Sequence, residues 1–267
     1  MAAFEIEVDG GTLFGIEQGN GLPVVFLHAG VCDHRMWTHQ FDALDENIHA
    51  IAYDRRGFGK TVSENVEFSE LDDLSAVLDH FDIRSAVFVG CSMGGGLAID
   101  FAIAYPERVA GMVLVGTALT GAPDFELPEE LNPVLQAEEV ARELGDVDMI
   151  NKVQAHEWLD GPGQQSGRVG GAARELFIDM NGVALRKPKL EHEIVPPSAL
   201  EHLSKITQPA LLVYGDYDFP DIIENHRILE DELVNAVSMV IEGTAHLPNL
   251  ERPDLFNPFL SQFLASY

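Results

Sequence analysis

Apolar residues arrive along this chain in two rhythms. Phe4 to Val8 alternates apolar with acidic side chains, Asp9-Gly10-Gly11 follows, and apolar character resumes from Leu13 to Ile16. Period two on either side of a glycine-bearing turn predicts an antiparallel hairpin. Six short runs then lose their polar partners: Val24 to Leu27, Ile48 to Tyr53, Ala86 to Val89, Met112 to Val115, Ala210 to Tyr214 and Val237 to Ile241. Runs this short and this rich in β-branched residues predict strands buried on both faces, as in a parallel sheet. Between them the period lengthens to that of a helix. Ser69 reads as an N-cap with an acid at Asp72, and Leu71, Leu74, Leu78 and Phe81 recur at helical spacing. Gly95 to Tyr105 predicts a second helix stopped by Pro106, and Pro253 opens a third through Phe256, Leu260 and Phe263.

Strand alternating with helix predicts an α/β fold, a mostly parallel doubly wound sheet with right-handed crossovers. The alternation lapses between about Gly121 and Ile206. Helical stretches from Glu138 to Leu144 and from Arg174 to Met180, with a glycine-rich loop from Gly161 to Gly171, stand there without a core strand. The predicted division is therefore a core of residues 1–120 and 207–267 interrupted by a helical cap of residues 121–206.

At 267 residues, 46% of them hydrophobic, the chain is long enough to bury one sizeable core. Its 16 basic residues are outweighed by 44 acidic ones, for a net charge of −28. A surface this negative repels phosphate backbones and anionic lipid, which argues against nucleic acid and membrane as partners. Two readings of the acidity stay open, adaptation to high salt or an ordinary protein of low pI. Two cysteines, Cys32 and Cys91, are too few for a disulfide framework. The most membrane-like window, Ser85 to Tyr105, carries Asp100 and four glycines and is too short in its uncharged part to span. Met1 to Asp9 lacks a basic region followed by a long apolar stretch, so a cytoplasmic location is expected.

The strongest chemical signal is Gly90-Cys91-Ser92-Met93-Gly94, between a predicted strand and a predicted helix. A serine there, with a glycine two positions to either side, is what a strained nucleophile elbow requires. Three consecutive glycines, Gly94 to Gly96, cost about 1 kcal/mol each in helix propensity, which close backbone packing must offset. A serine hydroxyl needs a base, and of ten histidines only His246 lies in a small-residue loop after the last core run and before the C-terminal helix. The acid belongs after Ala210 to Tyr214, where Asp216 and Asp218 compete, and Asp218 is the choice. The order Ser92, Asp218, His246 suits this architecture. Backbone amides of Met93 and of Gly30, in the loop after the first parallel strand, are the predicted oxyanion hole.

These stretches together resemble an α/β-hydrolase-fold serine hydrolase of the esterase and lactonase branch. Phe26 to Gly30 is similar to the family's oxyanion loop, Tyr53 to Gly59 to its D-x-R-G-x-G turn, and Gly90 to Gly95 to its elbow. Val213 to Asp218 resembles its acid loop, whose second acid is the triad member, and Gly243 to Pro253 its histidine loop. Trp158 to Pro162 is similar to a segment of 3-oxoadipate enol-lactonases. Two positions depart from the pattern: Ala29 stands where the family usually has Gly, and Cys91 where it usually has His, Asn or Gln. Relatives that are dehalogenases or epoxide hydrolases use an aspartate nucleophile, which Ser92 replaces here.

The resemblance implies cleavage of a small-molecule carboxylic ester through an acyl-enzyme. A lactone or a perhydrolase reaction on the same residues is the first alternative. A ligand sensor with slow turnover is the second, since Val31 to Trp37 is loosely similar to a bacterial stress-pathway regulator of this fold. Trp37, Trp158, Phe177 and Met180 are candidates to line an acyl pocket under the cap, with ordinary packing as the competing role. His28 is expected to steer the oxyanion loop, Asp54 and Arg56 to tie their turn, and His34, Arg35 and His39 to sit on a solvated helix face, with lining the mouth of the site as the competing role. No H-x-H or H-E-x-x-H spacing occurs, so neither metal nor cofactor is expected. A second copy of the chain is a candidate partner.

Overall fold

The period-two start of the chain folds as β1 (Ala2–Val8) and β2 (Gly11–Gln18), paired antiparallel from Ala2 opposite Glu17 to Val8 opposite Gly11. Gly10 turns the corner at φ +65°, a left-handed conformation that favours glycine. The computed structural model describes every residue from Met1 to Tyr267.

The six apolar runs become the body of the sheet: β3 (Leu22–Leu27), β4 (Ile48–Tyr53), β6 (Ala86–Cys91), β7 (Val109–Val115), β8 (Ala210–Gly215) and β9 (Ala236–Ile241). A two-residue strand that no apolar run announces, β5 (Val62–Ser63), adds to β2. The order is β1-β2-β4-β3-β6-β7-β8-β9, with β4 antiparallel to β2 and every later pair parallel. All six main strands therefore end on one edge of the sheet, where loops can converge. One expectation fails: β9 is not buried on both faces, since Val237 is 63% exposed. It is the edge strand of the sheet, paired only with β8.

Helices clothe both faces. On one lie α2 (Glu70–His80), α3 (Met93–Ala104) and α7 (Pro220–Glu232). On the other lie α1 (Thr38–Ala43), the short α8 (Pro248–Glu251) and α9 (Pro253–Leu264). Strand side chains alternate between the layers: Val25 and Leu27 of β3 join the first, Val24 and Phe26 the second. The predicted cap on α2 is present, with Asp72 N–H donating to Ser69 Oγ at 3.3 Å.

Between β7 and β8 the chain forms α4 (Asn132–Leu144), α5 (Val147–Ala155) and α6 (Gly171–Leu185) and no strand of the sheet. Helix α5 runs directly into a π-helical turn, His156–Asp160, a wider winding often placed at functional sites. No helix in the fold is long and apolar enough to cross a membrane.

Candidate active site

The turn from β6 into α3 is sterically closed. Ser92 has φ +55° and ψ −119°, and only Asp82 among the other non-glycine residues shares a positive φ. Such a conformation costs of order 1–3 kcal/mol and persists only where the surroundings impose it. They do so through glycine. A Cβ at Gly90 would collide with Gly94 backbone, one at Gly94 with the Leu27 carbonyl, and one at Gly95 would lie 2.6 Å from Thr117 Oγ1. Helix α3 starts at Met93, two residues earlier than its periodicity predicts, so Gly94 to Gly96 fall inside its first turn and let it press on β3 and β7.

His246 and Asp218 meet on the loops after β9 and β8. Asp218 Oδ2 and Oδ1 lie 2.8 and 3.0 Å from His246 Nδ1, and the Phe219 N–H donates to Oδ1 at 2.8 Å. Both side chains are almost fully buried. Nδ1 is thereby committed to the carboxylate, leaving Nε2 as the nitrogen able to take a proton. The competitor Asp216 is exposed and accepts from the Gly243 N–H, closing the histidine loop rather than reaching the imidazole. Ser92, half-buried, makes no hydrogen bond through its hydroxyl, so Asp218 and His246 are joined while the serine stands unbonded.

Two glycines make the histidine–aspartate contact possible, Gly116, which carried no sequence signal, and Gly215 of the predicted acid loop. At Gly116, φ +47°, a Cβ would lie 3.0 Å from His246 Nδ1 and 3.2 Å from Asp218 Oδ2. At Gly215 it would run into the carbonyls of Thr244 and Ala245. Behind the pair, buried His226 accepts the Thr117 N–H at Nε2, 3.0 Å. Burial, with His246 nearby, pulls the His226 imidazole down to about 3, so it stays neutral. Cys91 is fully buried and its thiol donates to the His246 carbonyl at 3.7 Å.

The loop after β3, expected to supply an oxyanion-hole amide, keeps one amide free. Ala29 N–H is spent on Met36 Sδ at 3.4 Å, whereas the Gly30 N–H has no acceptor. Met93, at the first position of α3, lacks an intrahelical acceptor, as all first-turn amides do. The Met93 side chain is exposed and lies against Gly30, where a Cβ would come within 2.5 Å of its sulfur. His28 is fully buried, its Nδ1 2.8 Å from the Ala29 carbonyl and its Nε2 accepting the Arg55 N–H at 3.0 Å. Burial, then Arg55, lowers it to about 4, so it orders the loop as a neutral ring.

The four candidate pocket residues separate. Trp158, on the π-helical turn, lies with its ring 4.6 Å from that of His246 and 4.7 Å from that of Phe219. Trp37, Phe177 and Met180 are instead fully buried in the second apolar layer, Trp37 against Phe26, and none lines either cavity beside Met93. His34 and Arg35 also depart from the solvated face expected of them. His34 is buried with Nδ1 2.7 Å from Asp54, and Arg35 joins Asp33 to Asp179 of α6. Asp33, His34 and Asp54 bring ligand-capable atoms within 4.8 Å of one another, yet Arg35 occupies the first acid, and His34 and the Lys60 N–H the last. Asp54 and Arg56 do tie their turn, Arg56 gripping Asp73 and the Asp9 carbonyl.

One fastening had no sequence signal. Arg168, in the glycine-rich loop, reaches both Glu251 oxygens at 2.6 and 2.9 Å and the Gly243 carbonyl at 2.8 Å. It thus buckles the segment between β7 and β8 to the two ends of the histidine loop.

Residues 24–259 match the model of the alpha/beta hydrolase family. The chain is 29% identical to a non-heme chloroperoxidase of Streptomyces lividans, over 97% of this chain and 98% of that protein. It is 27% identical to 3-oxoadipate enol-lactonase 2 of Acinetobacter baylyi, over 83% and 80%. Among solved structures, Est816, described as an N-acyl homoserine lactone degrading enzyme, superposes with a TM-score of 0.69 at 27% identity, over 97% and 100% of the two chains.

Proposed function

Because the chain belongs to the alpha/beta hydrolase family, we propose that it is a serine hydrolase cleaving carboxylic esters, cyclic ones included, through an acyl-enzyme on Ser92. The observation that carries this is the buried Asp218–His246 bond on the same sheet edge as a serine held at positive φ. In the proposed reaction His246 Nε2 takes the Ser92 proton as Oγ attacks the carbonyl carbon. The Met93 and Gly30 amides hold the resulting oxyanion, and Asp218 stabilises the imidazolium. Collapse returns that proton to the departing alkoxide. Water, deprotonated by His246, then frees the acid and regenerates Ser92. The lactone-directed names of two relatives support including cyclic esters.

A fluorophosphonate probe tests the assignment. Mass spectrometry should find the adduct on the peptide holding Ser92, with no adduct in Ser92→Ala. An adduct elsewhere overturns it, and ligand binding with neither adduct nor turnover would favour the sensor reading. The chloroperoxidase relative supports a side reaction in which hydrogen peroxide replaces water and the acyl group leaves as a peracid. Peracid formation that disappears in Ser92→Ala is its expected outcome.

A further inference from the structure

In so acidic a protein, positive charge gathers in one place. Every arginine but Arg84 is paired with a carboxylate, whereas none of the five lysines is. A cavity of about 450 Å³ opens beside Gly30 and Met93, the two amides assigned to the oxyanion. Four of its 17 lining residues are basic, in a chain with only 16 basic residues among 267. Arg56 and Arg142 are spent on Asp73 and Glu138. Lys187 and Lys189 are not.

Lys187 is the better placed. Its ammonium donates to the carbonyls of Phe58 and Thr61 at 2.7 and 2.6 Å, which leaves one of its three protons without an acceptor. Burial pulls its pKa below the usual lysine range, with Asp54 and Asp33 opposing, so its charge gains from a counter-ion brought into the cavity. The two acids in the wall do not supply one. Glu70 is held by Arg55, and burial, then Glu70, pushes Glu193 toward its neutral form.

The geometry points to a substrate that carries a carboxylate remote from the scissile ester, seated on Lys187 with Lys189 beside it. One free ammonium proton and a second, exposed cation suit a single carboxylate better than a phosphate, which asks for more donors. The inference rests on the hydrolase reading only for where the ester lies; the anion site stands on the cavity itself.

Two experiments separate these. The first compares kcat/KM for p-nitrophenyl butyrate with that for the mono-p-nitrophenyl ester of glutaric acid, which bears a carboxylate at the far end of its acyl chain. The wild-type enzyme should prefer the charged ester roughly tenfold or more. Lys187→Met should reduce that ratio about tenfold, chiefly through KM, Lys187→Arg should recover part of it, and Lys189→Met should reduce it less. A wild-type ratio near one, or a ratio untouched by both methionine variants, overturns the proposal. The second titrates glutarate into the protein calorimetrically. Binding should persist in Ser92→Ala and weaken about tenfold in Lys187→Met, and no binding to the wild type overturns the anion site. Ester turnover without discrimination removes the anion site and leaves the Ser92 mechanism; glutarate binding without turnover of either ester does the reverse.

Discussion

Around Ser92 the chain is held by backbone packed on backbone, whereas the segment between β7 and β8 is held by side chains reaching for one another. At the elbow the limiting contacts are carbonyls and Cα atoms: Gly90 against Gly94 and Gly95, Gly94 against Leu27 and His28. In the segment above, buried Asp160 accepts the Gly167 and Val169 amides at 2.7 and 2.8 Å and pairs with Arg174. Asn181 spans Asn151 and Gln154, while Arg168 crosses to Glu251. Backbone contacts at van der Waals limit leave one arrangement, and a strained φ needs that rigidity. Side-chain bonds can be re-made with other partners, so the segment that shapes the cavity can vary while the elbow stays constant. Trp158 joins the two regimes, carried by the π-helical turn onto the ring of His246.

The sharpest break of this contrast is Ser92→Ala. It removes one oxygen from a rigid turn, so thermal unfolding should stay near that of the wild type while kcat for ester cleavage falls by about 10⁴ or more. Gly94→Ala attacks the same turn through its packing. A Cβ against the Leu27 and His28 carbonyls should cost about 3 kcal/mol or prevent folding, measured by urea denaturation. A loss below about 0.5 kcal/mol would show that the elbow is not backbone-limited.

Arg168→Ala tests the side-chain regime. It leaves Glu251 largely buried without its cation and should cost about 2 kcal/mol in the same denaturation assay. It should also raise amide exchange in the histidine loop while the elbow stays protected.

Glu157 gives a smaller effect with a defined pH window. Its Oε1 is buried without a partner, and burial, then Glu138, pushes its pKa up to about 8, with Arg142 opposing. The folded state keeps a proton that the unfolded chain releases above its usual value, so stability falls as pH rises and levels off beyond about 8. His28 and His226, lowered to about 4 and about 3, act oppositely at lower pH, where the unfolded chain binds protons that they refuse. Asp100, raised by burial to about 7, contributes a fall of its own. Asp100 still titrates between pH 7 and 8, so the Glu157 share is read as the difference between the wild type and Glu157→Gln. That variant should lessen the decline in Tm across the interval and gain about 1 kcal/mol at pH 8. The smallest effect is expected from Arg227→Ala, which breaks an exposed pair with Glu224 in α7 and should change stability by no more than about 0.5 kcal/mol.

What could be read in advance followed the same division. The hairpin, the six main strands, α2 with its Ser69 cap and the serine turn all announce themselves within a few consecutive residues, because periodicity and glycine placement are local. The two-residue β5 carries too little pattern to register, and α5 is only nine residues long. Gly116, His226 and Arg168 had no local signal, since each matters only through a residue on another loop. Trp37, Phe177 and Met180 show the converse: large apolar side chains look alike in sequence whether they line a pocket or fill a core.

The linear chain, then, was sufficient for an alternating α/β fold, for a serine on a strained turn, and for a histidine and an acid in the order such a fold requires. Folding alone decided that Asp216 turns to the Gly243 amide, that the Ala29 N–H is spent on Met36 Sδ, and that Lys187 opens onto the cavity beside Gly30. Propensity and periodicity act over a few neighbouring residues, but a hydrogen bond or a buried charge is settled between atoms that only the packed sheet and its loops bring together.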